Sequence, residues 1–519
     1  MLEFIRKHAA NVIGVLSGFD RLYFRGLLRR LHFPSGLNLY LCLHRIPFKD
    51  ASDHFMEVSE RIKAASVRRA EEQERRVVYL ESPQTNKEQE ALKIARRDGV
   101  REGLICVLST VEMCRSFQIR RNRRSKLLEL HLVPRKCLHY YHYFQHPRLG
   151  LIHARLQTWF PFNLNICING REWLAMSLER EGVGFRKSDN CFTWISDAAR
   201  AQKLADAQLR TNWEKLLSGI ALEVNPLVNE AFGKFETEYY WTAFQSEWAT
   251  DVMFKSPQAL AELYPSLVRH GILTFKSPDV LRFLGQKCEG QVHGNYKGEV
   301  SSDVKTRHEG VRIKHTVENN SVKMYDKAGS VLRVETTMNR AYGFKTYRPK
   351  EGDPNGPKTW RILRKGVADM QRRAEICQKC NERYLEAQAK TENGRTLEEC
   401  VGNAGKRVRW KGRPARALNL LGQDARVLEI VGRGEYVLKG FRNRDLQTHL
   451  YEQRAASKEE QKRRSGQVTR LLRLLQAHGV IRKVQKTHRY QLSAKGRELV
   501  VALATAKAAS VEKLSALAA

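Results

Sequence analysis

Two short runs of alternating polar and apolar residues flank an Ala-Gly-Ser sequence at positions 328–330. This pattern predicts a β-hairpin whose loop has about three to five residues and contains a glycine. Because side chains alternate between the two faces of a strand, such a register separates the two residue types. The predicted apolar face contains Val322, Met324, Leu332 and Val334. The predicted polar face contains Lys323, Tyr325, Lys327, Arg333 and Glu335.

Strand-like and helix-like patterns alternate through residues 1–235, which predicts a mixed α/β domain there. Helical patterns occur at residues 50–76, 85–97, 171–181, 197–217 and 221–235. A strand pattern at residues 13–22 ends near Asp20, which has two interpretations. Aspartate is common in turns, and we prefer that interpretation. The alternative is a metal ligand, as RNase H-like nucleases carry one at the end of a first strand.

A basic segment at residues 115–136 leads into an aromatic segment at residues 136–146. The densest group of cations contains Arg120, Arg121, Arg123 and Arg124. Cations contact phosphates and rings stack on unpaired bases, so this combination is typical of a nucleic-acid surface. Two alternatives remain open for the aromatic segment, namely an aromatic core strand and a metal site. The ligands of that metal site would be Cys137, His139, His142 and His146.

Residues 236–350 predict a central α+β domain that contains the hairpin. Serine followed by proline at residues 256–257 and 277–278 predicts two helices, each with the serine as its N-cap. The notable carboxylates of this domain are Glu247, Asp251, Glu299, Asp303 and Glu309.

A loop rich in proline and glycine at residues 351–357 begins a predicted linker that runs to residue 414. The linker contains a charged helix at residues 366–390, in which Cys377 and Cys380 share a face. A buried or tolerated cysteine pair is favoured over a metal site there, since no second such pair exists. The linker ends in a basic arm at residues 406–416, with candidate nucleic-acid contacts at Arg409, Trp410, Lys411 and Arg413.

The patterns after residue 415 follow the order helix, strand, helix, helix and basic hairpin. They occur at residues 424–430, 435–441, 443–451, 467–478 and 480–492. This order resembles a winged helix-turn-helix domain, which implies that the third helix enters a major groove of DNA. Arg470 and Arg473 would then face outward on that helix, and Lys483, Lys486 and Arg489 of the wing would contact phosphates. Use of the same domain for protein contact remains an alternative.

Composition makes a polyanion the first partner to consider. The chain has 519 residues, with 91 Lys and Arg against 56 Asp and Glu and a formal charge of +35. Such an excess favours DNA or RNA, with an anionic membrane surface second. The length predicts about two to four domains of an α+β protein. Ten scattered cysteines, no signal peptide and no long apolar run predict a reduced, cytoplasmic protein without a membrane span.

The polar face of the hairpin resembles a motif of rolling-circle replication initiators of the phage X and plasmid Rep type. The matching sequences are Lys-x-Tyr-Asp-Lys from residue 323 and Leu-Arg-x-Glu from residue 332. The resemblance implies that Tyr325 is the nucleophile that nicks DNA and that Glu335 helps to hold a divalent metal. An ordinary tyrosine has a pKa of about 10 and is a poor nucleophile at neutral pH. Lys323, Lys327 and Arg333 would favour its phenolate form.

Three hypotheses of function therefore remain open. The first is an enzyme, a DNA-nicking endonuclease or replication initiator of a mobile genetic element, which uses Mg²⁺ or Mn²⁺ and no organic cofactor. The second is a non-catalytic DNA- or RNA-binding protein in which the hairpin is structural. The third is a transposase or nuclease whose metal ligands are Asp20 and other scattered carboxylates.

Overall fold

The computed structural model describes residues 1–510 apart from several short gaps. The gaps are residues 230, 231, 233, 234, 236, 287–298, 308, 309, 351, 354, 391–400, 403, 437–439, 452, 454 and 486. The chain forms two compact units, each assembled from separate stretches of sequence. The first unit contains Met1–Ile13, Phe254–Val334 and Lys379–Ala519. The second unit contains Gly14–Met253 and Glu335–Gln378.

A large mixed sheet forms the centre of the second unit. In spatial order its strands are β13 (Val331–Met338, here from Glu335 onward), β9 (Tyr239–Phe254), β1 (Val12–Leu28), β6 (Leu164–Asn169), β5 (Gly150–Gln157), β4 (Leu128–His146), β3 (Gly103–Arg121) and β2 (Arg76–Tyr79). From β1 to β3 neighbouring strands pair antiparallel, and β2 pairs parallel with β3. Two short ribbons belong to the same unit, namely β7 (Phe185–Ser188) with β8 (Cys191–Ile195) and β14 (Lys345–Arg348) with β15 (Thr359–Ile362). The predicted mixed α+β class is confirmed.

Strand β4 contains the aromatic segment. Its buried rings are those of Tyr140, Tyr141, Tyr143 and Phe144. This burial confirms the alternative of an aromatic core strand. The basic segment forms the far ends of β3 and β4 and the turn between them. Those exposed strand ends lack the continuous apolar run that marks a buried strand.

The helices of the second unit begin mostly at asparagine or aspartate caps. They are α2 (Pro34–Leu43), α3 (Ala51–Glu72), α4 (Lys87–Arg97), α5 (Gly170–Arg180), α6 (Ala198–Ala207), α7 (Trp213–Val224) and the first part of α10 (Met370–Ala389). The caps of α4, α5, α6 and α7 each accept a hydrogen bond from a backbone N–H of the first turn. These bonds satisfy donors that have no partner within the helix.

Two of the helices predicted in this unit differ from the observed structure. The helix predicted at residues 197–217 is divided into α6 and α7 by a 3₁₀ turn at Gln208–Arg210. The helix predicted at residues 221–235 is wrong, because α7 ends at Val224 and Pro226 begins a short 3₁₀ turn. Proline lacks the N–H that would continue the helix.

The predicted hairpin is confirmed in the first unit. Strand β12 (Asn320–Lys327) joins β13 through residues 328–330, and Ala328 and Gly329 have positive φ angles of 54° and 76°. The positive φ at the second position suits glycine, which has no Cβ to clash. The predicted apolar face is buried and contains Val322, Met324, Leu332 and Val334. Strand β12 also pairs antiparallel with β11 (Gly310–Val317), which pairs with β10 (Val300–Arg307).

The other described helices belong to the first unit. They are α1 (Leu2–Lys7), α8 (Pro257–Leu273), α9 (Ser277–Phe283), the rest of α10, α11 (Ala425–Val431), α12 (Asn443–Leu450), α13 (Lys458–Ala477) and α14 (Ala494–Ala508). Ser256 caps α8 as predicted, since its side chain accepts a hydrogen bond from the N–H of Ala259. The cap of α9 is Lys276 rather than the predicted Ser277, because Asp279 accepts the Lys276 N–H at 2.9 Å.

The chain after residue 415 follows the predicted order in part. Helices α11, α12 and α13 and a hairpin of β18 (Ile481–Lys483) with β19 (Tyr490–Leu492) form around one apolar core. The strand predicted at residues 435–441 is wrong in its first part, because Glu435 and Tyr436 are helical. Residues 437–439 lie outside the described chain, and Phe441 makes a single β-bridge with Tyr490.

The predicted basic arm is instead a small hairpin. It consists of β16 (Val408–Trp410) and β17 (Arg413–Ala415), with Lys411 and Gly412 at the turn. Both turn residues have positive φ angles. The winged-helix assignment and the domain boundaries at residues 235, 350 and 414 stay predictions. Among the described helices, none combines the length and apolar character needed to cross a membrane.

Candidate metal centre

Three carboxylates from neighbouring strands meet in the second unit. Asp20 on β1, Glu247 on β9 and Glu335 on β13 have carboxylate oxygens within 4.8 Å of one another. Asp20 and Glu335 are each 3% exposed, and Glu247 is half-buried. Strand β9 lies between β1 and β13, so the sheet brings together residues that are distant in sequence. We call these three residues the acidic triad.

Asp20 is held in a closely packed part of β1. A Cβ atom added to Gly170, the first residue of α5, would lie 2.3 Å from the carbonyl oxygen of Phe19. The side-chain amide of Asn190, which precedes β8, donates a hydrogen bond to Asp20. The interpretation of Asp20 as a turn residue is wrong, because β1 continues to Leu28.

Polar neighbours on the same strands orient the other two carboxylates. Gln245 Nε2 donates a hydrogen bond to Glu247 Oε1 at 2.9 Å. Thr337 Oγ1 donates one to Glu335 Oε1 at 3.3 Å. Each donor is two residues from its acceptor, which is the spacing that puts two side chains on the same face of a strand. The strands themselves therefore restrict the orientations of Glu247 and Glu335.

A buried ion pair links α5 to the strand that carries Glu247. Arg171 Nη2 lies 3.0 Å from Asp251 Oδ2, and the two side chains are 0% and 1% exposed. Arg171 also donates a hydrogen bond to the Ala249 carbonyl at 3.0 Å. Removal of one partner of a buried ion pair is strongly destabilising. The pair therefore fixes β9 to the helix that begins beside Asp20.

Arg21 supplies a positive charge next to the triad. Burial by itself would lower its pKa, but the charges of Tyr23, Asp20 and Glu88 raise the pKa overall. Burial also raises the pKa of Tyr23 to about 12, and the charge of Glu247 adds to that increase. At neutral pH this part of β1 thus presents a guanidinium and a protonated phenol beside the carboxylates.

The donor set of the acidic triad suits a hard divalent cation. Ionised carboxylates this close repel one another, and a cation between them replaces repulsion with attraction. Mg²⁺ and Mn²⁺ prefer carboxylate oxygens, whereas zinc also takes thiolates and imidazoles. The triad therefore fits the cofactor that the sequence motif implied for Glu335.

A second group of metal-binding side chains lies on β3 and β4. The ligand atoms of Cys114, Cys137 and His139 are within 4.8 Å of one another. The Nδ1 of His139 is 3.1 Å from the Cys137 carbonyl, and its Nε2 is 4.0 Å from the Cys137 sulfur. Burial lowers the pKa of His139 to about 4, so the ring is neutral at pH 7. Of the four ligands considered from sequence, His142 and His146 are not part of this group.

The residues predicted to be catalytic lie in the first unit. They are Lys323, Tyr325 and Lys327 on β12 and Arg333 at the start of β13. Tyr325 is half-buried and lies opposite Arg312 of β11. Lys327 and Arg333 are buried, at 7% and 1% exposed. Glu335 belongs to the second unit, where it is part of the acidic triad.

The predicted nucleic-acid contacts are mostly exposed. The exposed ones are Arg120, Arg121, Arg123 and Arg124 near the β3–β4 turn, Arg409, Lys411 and Arg413 in the β16–β17 hairpin, Arg470 and Arg473 on α13, and Lys483 in β18. Trp410 is half-buried under the Lys411 ammonium, which lies 5.0 Å from its ring centroid. Arg489 is half-buried and donates a hydrogen bond to the Gly440 carbonyl at 3.4 Å. Lys486 lies outside the described residues.

Sequence reasoning did not connect the members of the triad. It named Glu335 as a metal ligand, Asp20 as an alternative one and Glu247 only as a notable carboxylate. The three residues meet because β1, β9 and β13 are neighbours in the sheet, and no local sequence pattern predicts that strand order. Arg21 and Asn190 gave no signal either, because an isolated arginine or asparagine is ordinary in a basic protein.

Comparison with known proteins gives no relative. Neither a family model, nor a curated protein, nor a solved structure matches this chain. Function is therefore inferred from the residues and their geometry.

Proposed function

We propose that this protein is a metal-dependent enzyme that cleaves the backbone of a nucleic acid. The acidic triad carries the proposal, because its three carboxylates have oxygens within 4.8 Å of one another on neighbouring strands. Three carboxylates this close repel one another when ionised. A Mg²⁺ or Mn²⁺ ion held by Asp20, Glu247 and Glu335 would replace that repulsion with attraction. The resemblance of the hairpin motif also implies that Glu335 is a metal ligand, independently of this geometry.

Charge supports a nucleic acid as the substrate. The formal charge of +35 attracts polyanions, and phosphate contacts by Lys and Arg dominate the affinity of proteins for DNA and RNA. The exposed arginines near the β3–β4 turn and in the β16–β17 hairpin are available for such contacts. A divalent cation would neutralise charge on the scissile phosphate.

The reaction has two forms that differ in the nucleophile. In both, an oxygen atom forms a bond to phosphorus, the bond from phosphorus to the leaving sugar oxygen breaks, and the proton of the nucleophile passes to that oxygen. A water nucleophile gives two free strand ends. Tyr325 as the nucleophile would leave one end attached to the protein and preserve the energy for resealing. The resemblance to replication initiators supports the tyrosine form, which would make the enzyme a DNA nickase of a mobile element.

The part of the chain after residue 415 supports a DNA-binding role. Helix α13 is followed by a basic hairpin, as in a winged helix, and Arg470 and Arg473 of this helix are exposed. In this proposal α13 enters a major groove while Lys483, Lys486 and Arg489 contact phosphates. Contact with another protein is the alternative use of the same surface.

The test is a cleavage assay with the full-length chain. Supercoiled DNA, single-stranded DNA and RNA are incubated with Mg²⁺, Mn²⁺ or a chelator. We expect cleavage only with metal, and Asp20→Asn or Glu247→Gln should lower its rate by about 100-fold or more, as loss of transition-state charge stabilisation does elsewhere. Glu102→Gln is the matched control, because Glu102 is exposed and outside the triad.

Two results would contradict the proposal. One is cleavage of every substrate at wild-type rate by the triad variants, which would assign the activity to a contaminant or another site. The other is binding of nucleic acid without cleavage under any metal condition. That second result would support the non-catalytic hypothesis, in which the hairpin is structural.

A further inference from the structure

An aromatic pair projects into solvent from the ribbon of β14 and β15 in the second unit. Tyr347 and Trp360 are directly opposite each other in this ribbon and are 58% and 70% exposed. Their ring centroids are 5.6 Å apart, with 54° between the ring planes. Large exposed rings are costly in water, so a pair of them indicates a contact surface.

The ribbon is firmly anchored, although its rings are exposed. The N–H of Leu363 donates a hydrogen bond to the Phe344 carbonyl at 2.9 Å, and both side chains are buried. Arg348 is 7% exposed and donates to the Ile362 carbonyl at 3.4 Å. The exposed rings therefore project from a fixed base, and their removal takes nothing from the core of the unit.

The sequence on both sides of the aromatic pair is rich in cations. Residues 342–365 contain seven Lys and Arg but only two carboxylates. The two ribbon strands themselves contain three cations and no carboxylate. Lys345, Lys350 and Lys358 are exposed. This charge pattern complements a polyanion, and a nucleic acid also supplies flat bases for the rings, which an acidic protein surface does not.

A cavity of about 770 Å³ in the same unit is lined by residues on both sides of the ribbon in sequence. Its lining includes Tyr342 and Lys365, whose ammonium lies 5.2 Å from the Tyr342 ring centroid. It also includes Tyr240, with Arg29 at 5.5 Å from its ring centroid. The volume is within the range of about 300–1,000 Å³ that is usual for ligand cavities. Both tyrosines are about half exposed, at 56% and 46%.

We propose that Tyr347 and Trp360, together with this cavity, bind the unpaired bases of a single nucleic-acid strand. Stacking on aromatic rings is insensitive to sequence because every base has a flat face. The lysines of the ribbon and cavity contact the backbone phosphates. Paired bases are stacked inside a duplex and are not available to these rings. The inference rests on the proposed function for its choice of a nucleic acid and adds that the strand is unpaired.

The test measures binding by the full-length chain in a chelator, where no metal-dependent cleavage occurs. Fluorescent oligothymidylate, oligouridylate and a duplex of the same length are titrated with wild type and with a Tyr347→Ala, Trp360→Ala double variant. We expect affinity for the single strands to fall by about fivefold or more for each ring removed. Affinity for the duplex should change by less than about twofold. Comparison of the two single strands distinguishes a DNA site from an RNA site.

Tyr79→Ala is the matched control, because Tyr79 of β2 is also 58% exposed in the second unit. It should leave all affinities unchanged. Equal losses on single strands and duplex, the same loss with Tyr79→Ala, or no loss in the double variant would each overturn the inference. Trp360→Phe should retain part of the affinity, which a folding defect would not explain.

The binding experiment and the cleavage assay can contradict their two proposals independently. Triad variants that bind single strands normally but do not cut them support both proposals. A second possible result is that the double variant loses affinity for single strands but not for duplex, while wild type cleaves nothing. That result would overturn the proposed enzyme and leave the base-binding site. Metal-dependent cleavage by wild type, together with unchanged single-strand affinity in the double variant, would support the proposed enzyme and overturn the base-binding site.

Discussion

Tyr325 is half-buried on β12, and the apolar face of the hairpin is formed by other side chains. Glu335 differs, since it is 3% exposed and part of the acidic triad. In the proposed tyrosine form of the reaction, Tyr325 would be the nucleophile and Glu335 a metal ligand, so the two residues would contribute separately.

We predict that Tyr325→Phe abolishes covalent attachment to DNA. Phenylalanine keeps the ring and its packing, so folding and DNA binding should stay near those of wild type. The measurement is an adduct between protein and labelled DNA that survives denaturation in the presence of Mn²⁺. Tyr79→Phe should form the adduct as wild type does. An adduct that persists in Tyr325→Phe, or no adduct with any substrate, would rule out the tyrosine form and leave water as the nucleophile.

Elements rather than single residues bring the triad together. The contact between the start of α5 and β1 is so close that Gly170 has no room for a side chain. The Arg171–Asp251 ion pair then connects the same helix to β9. Helix α5 thus fixes the two strands that carry Asp20 and Glu247.

Gly170→Ala should disturb both stability and metal binding. An added Cβ would lie 2.3 Å from the Phe19 carbonyl oxygen, so β1 or the start of α5 must shift beside Asp20. We expect the unfolding free energy to fall by about 1–3 kcal/mol, with weaker binding of Mn²⁺. Gly219→Ala on α7 is the control, because nothing lies within 4 Å of the added atom. It should leave stability unchanged or raise it by up to about 1 kcal/mol. Similar behaviour of the two variants would contradict this account.

The hairpin and the triad differ in how far sequence could predict them. The alternation around residues 328–330 is local, and the structure has the predicted strands, loop and apolar face. The membership of Glu247 depends on strand order, which no periodicity reports. Asp20 was assigned to a turn because aspartate is common in turns, although β1 continues past it. Burial of a charged residue for function breaks the pattern on which such predictions depend.

The proposed nucleic-acid substrate rests partly on the charge of the whole chain. An excess of 35 positive charges would raise the local concentration of a polyanion and speed its capture. The predicted contacts on the β3–β4 turn, the β16–β17 hairpin and α13 are exposed, so they can exchange counterions for phosphates.

Affinity for nucleic acid should fall steeply as salt concentration rises. Each neutralised phosphate releases bound counterions, which makes the logarithm of affinity linear in the logarithm of salt concentration. In the full-length chain, Arg470→Ala with Arg473→Ala should weaken duplex binding and reduce the slope by about one unit for each phosphate that is no longer neutralised. Fluorescence anisotropy at several salt concentrations measures both quantities. Affinity that is flat with salt would contradict the electrostatic account, and an unchanged slope in the double variant would exclude α13 from the DNA interface.

Binding of Mn²⁺ is the most direct test of the acidic triad as a metal site. The full-length chain is titrated with Mn²⁺, and the free ion is counted by electron paramagnetic resonance. We predict about one tight Mn²⁺ per chain, competed by Mg²⁺, because the three carboxylates form one group of oxygen ligands. Asp20→Asn, Glu247→Gln and Glu335→Gln should each weaken this binding, while Glu102→Gln should not. Wild-type Mn²⁺ affinity in all three triad variants, or no tight Mn²⁺ in wild type, would contradict the claim.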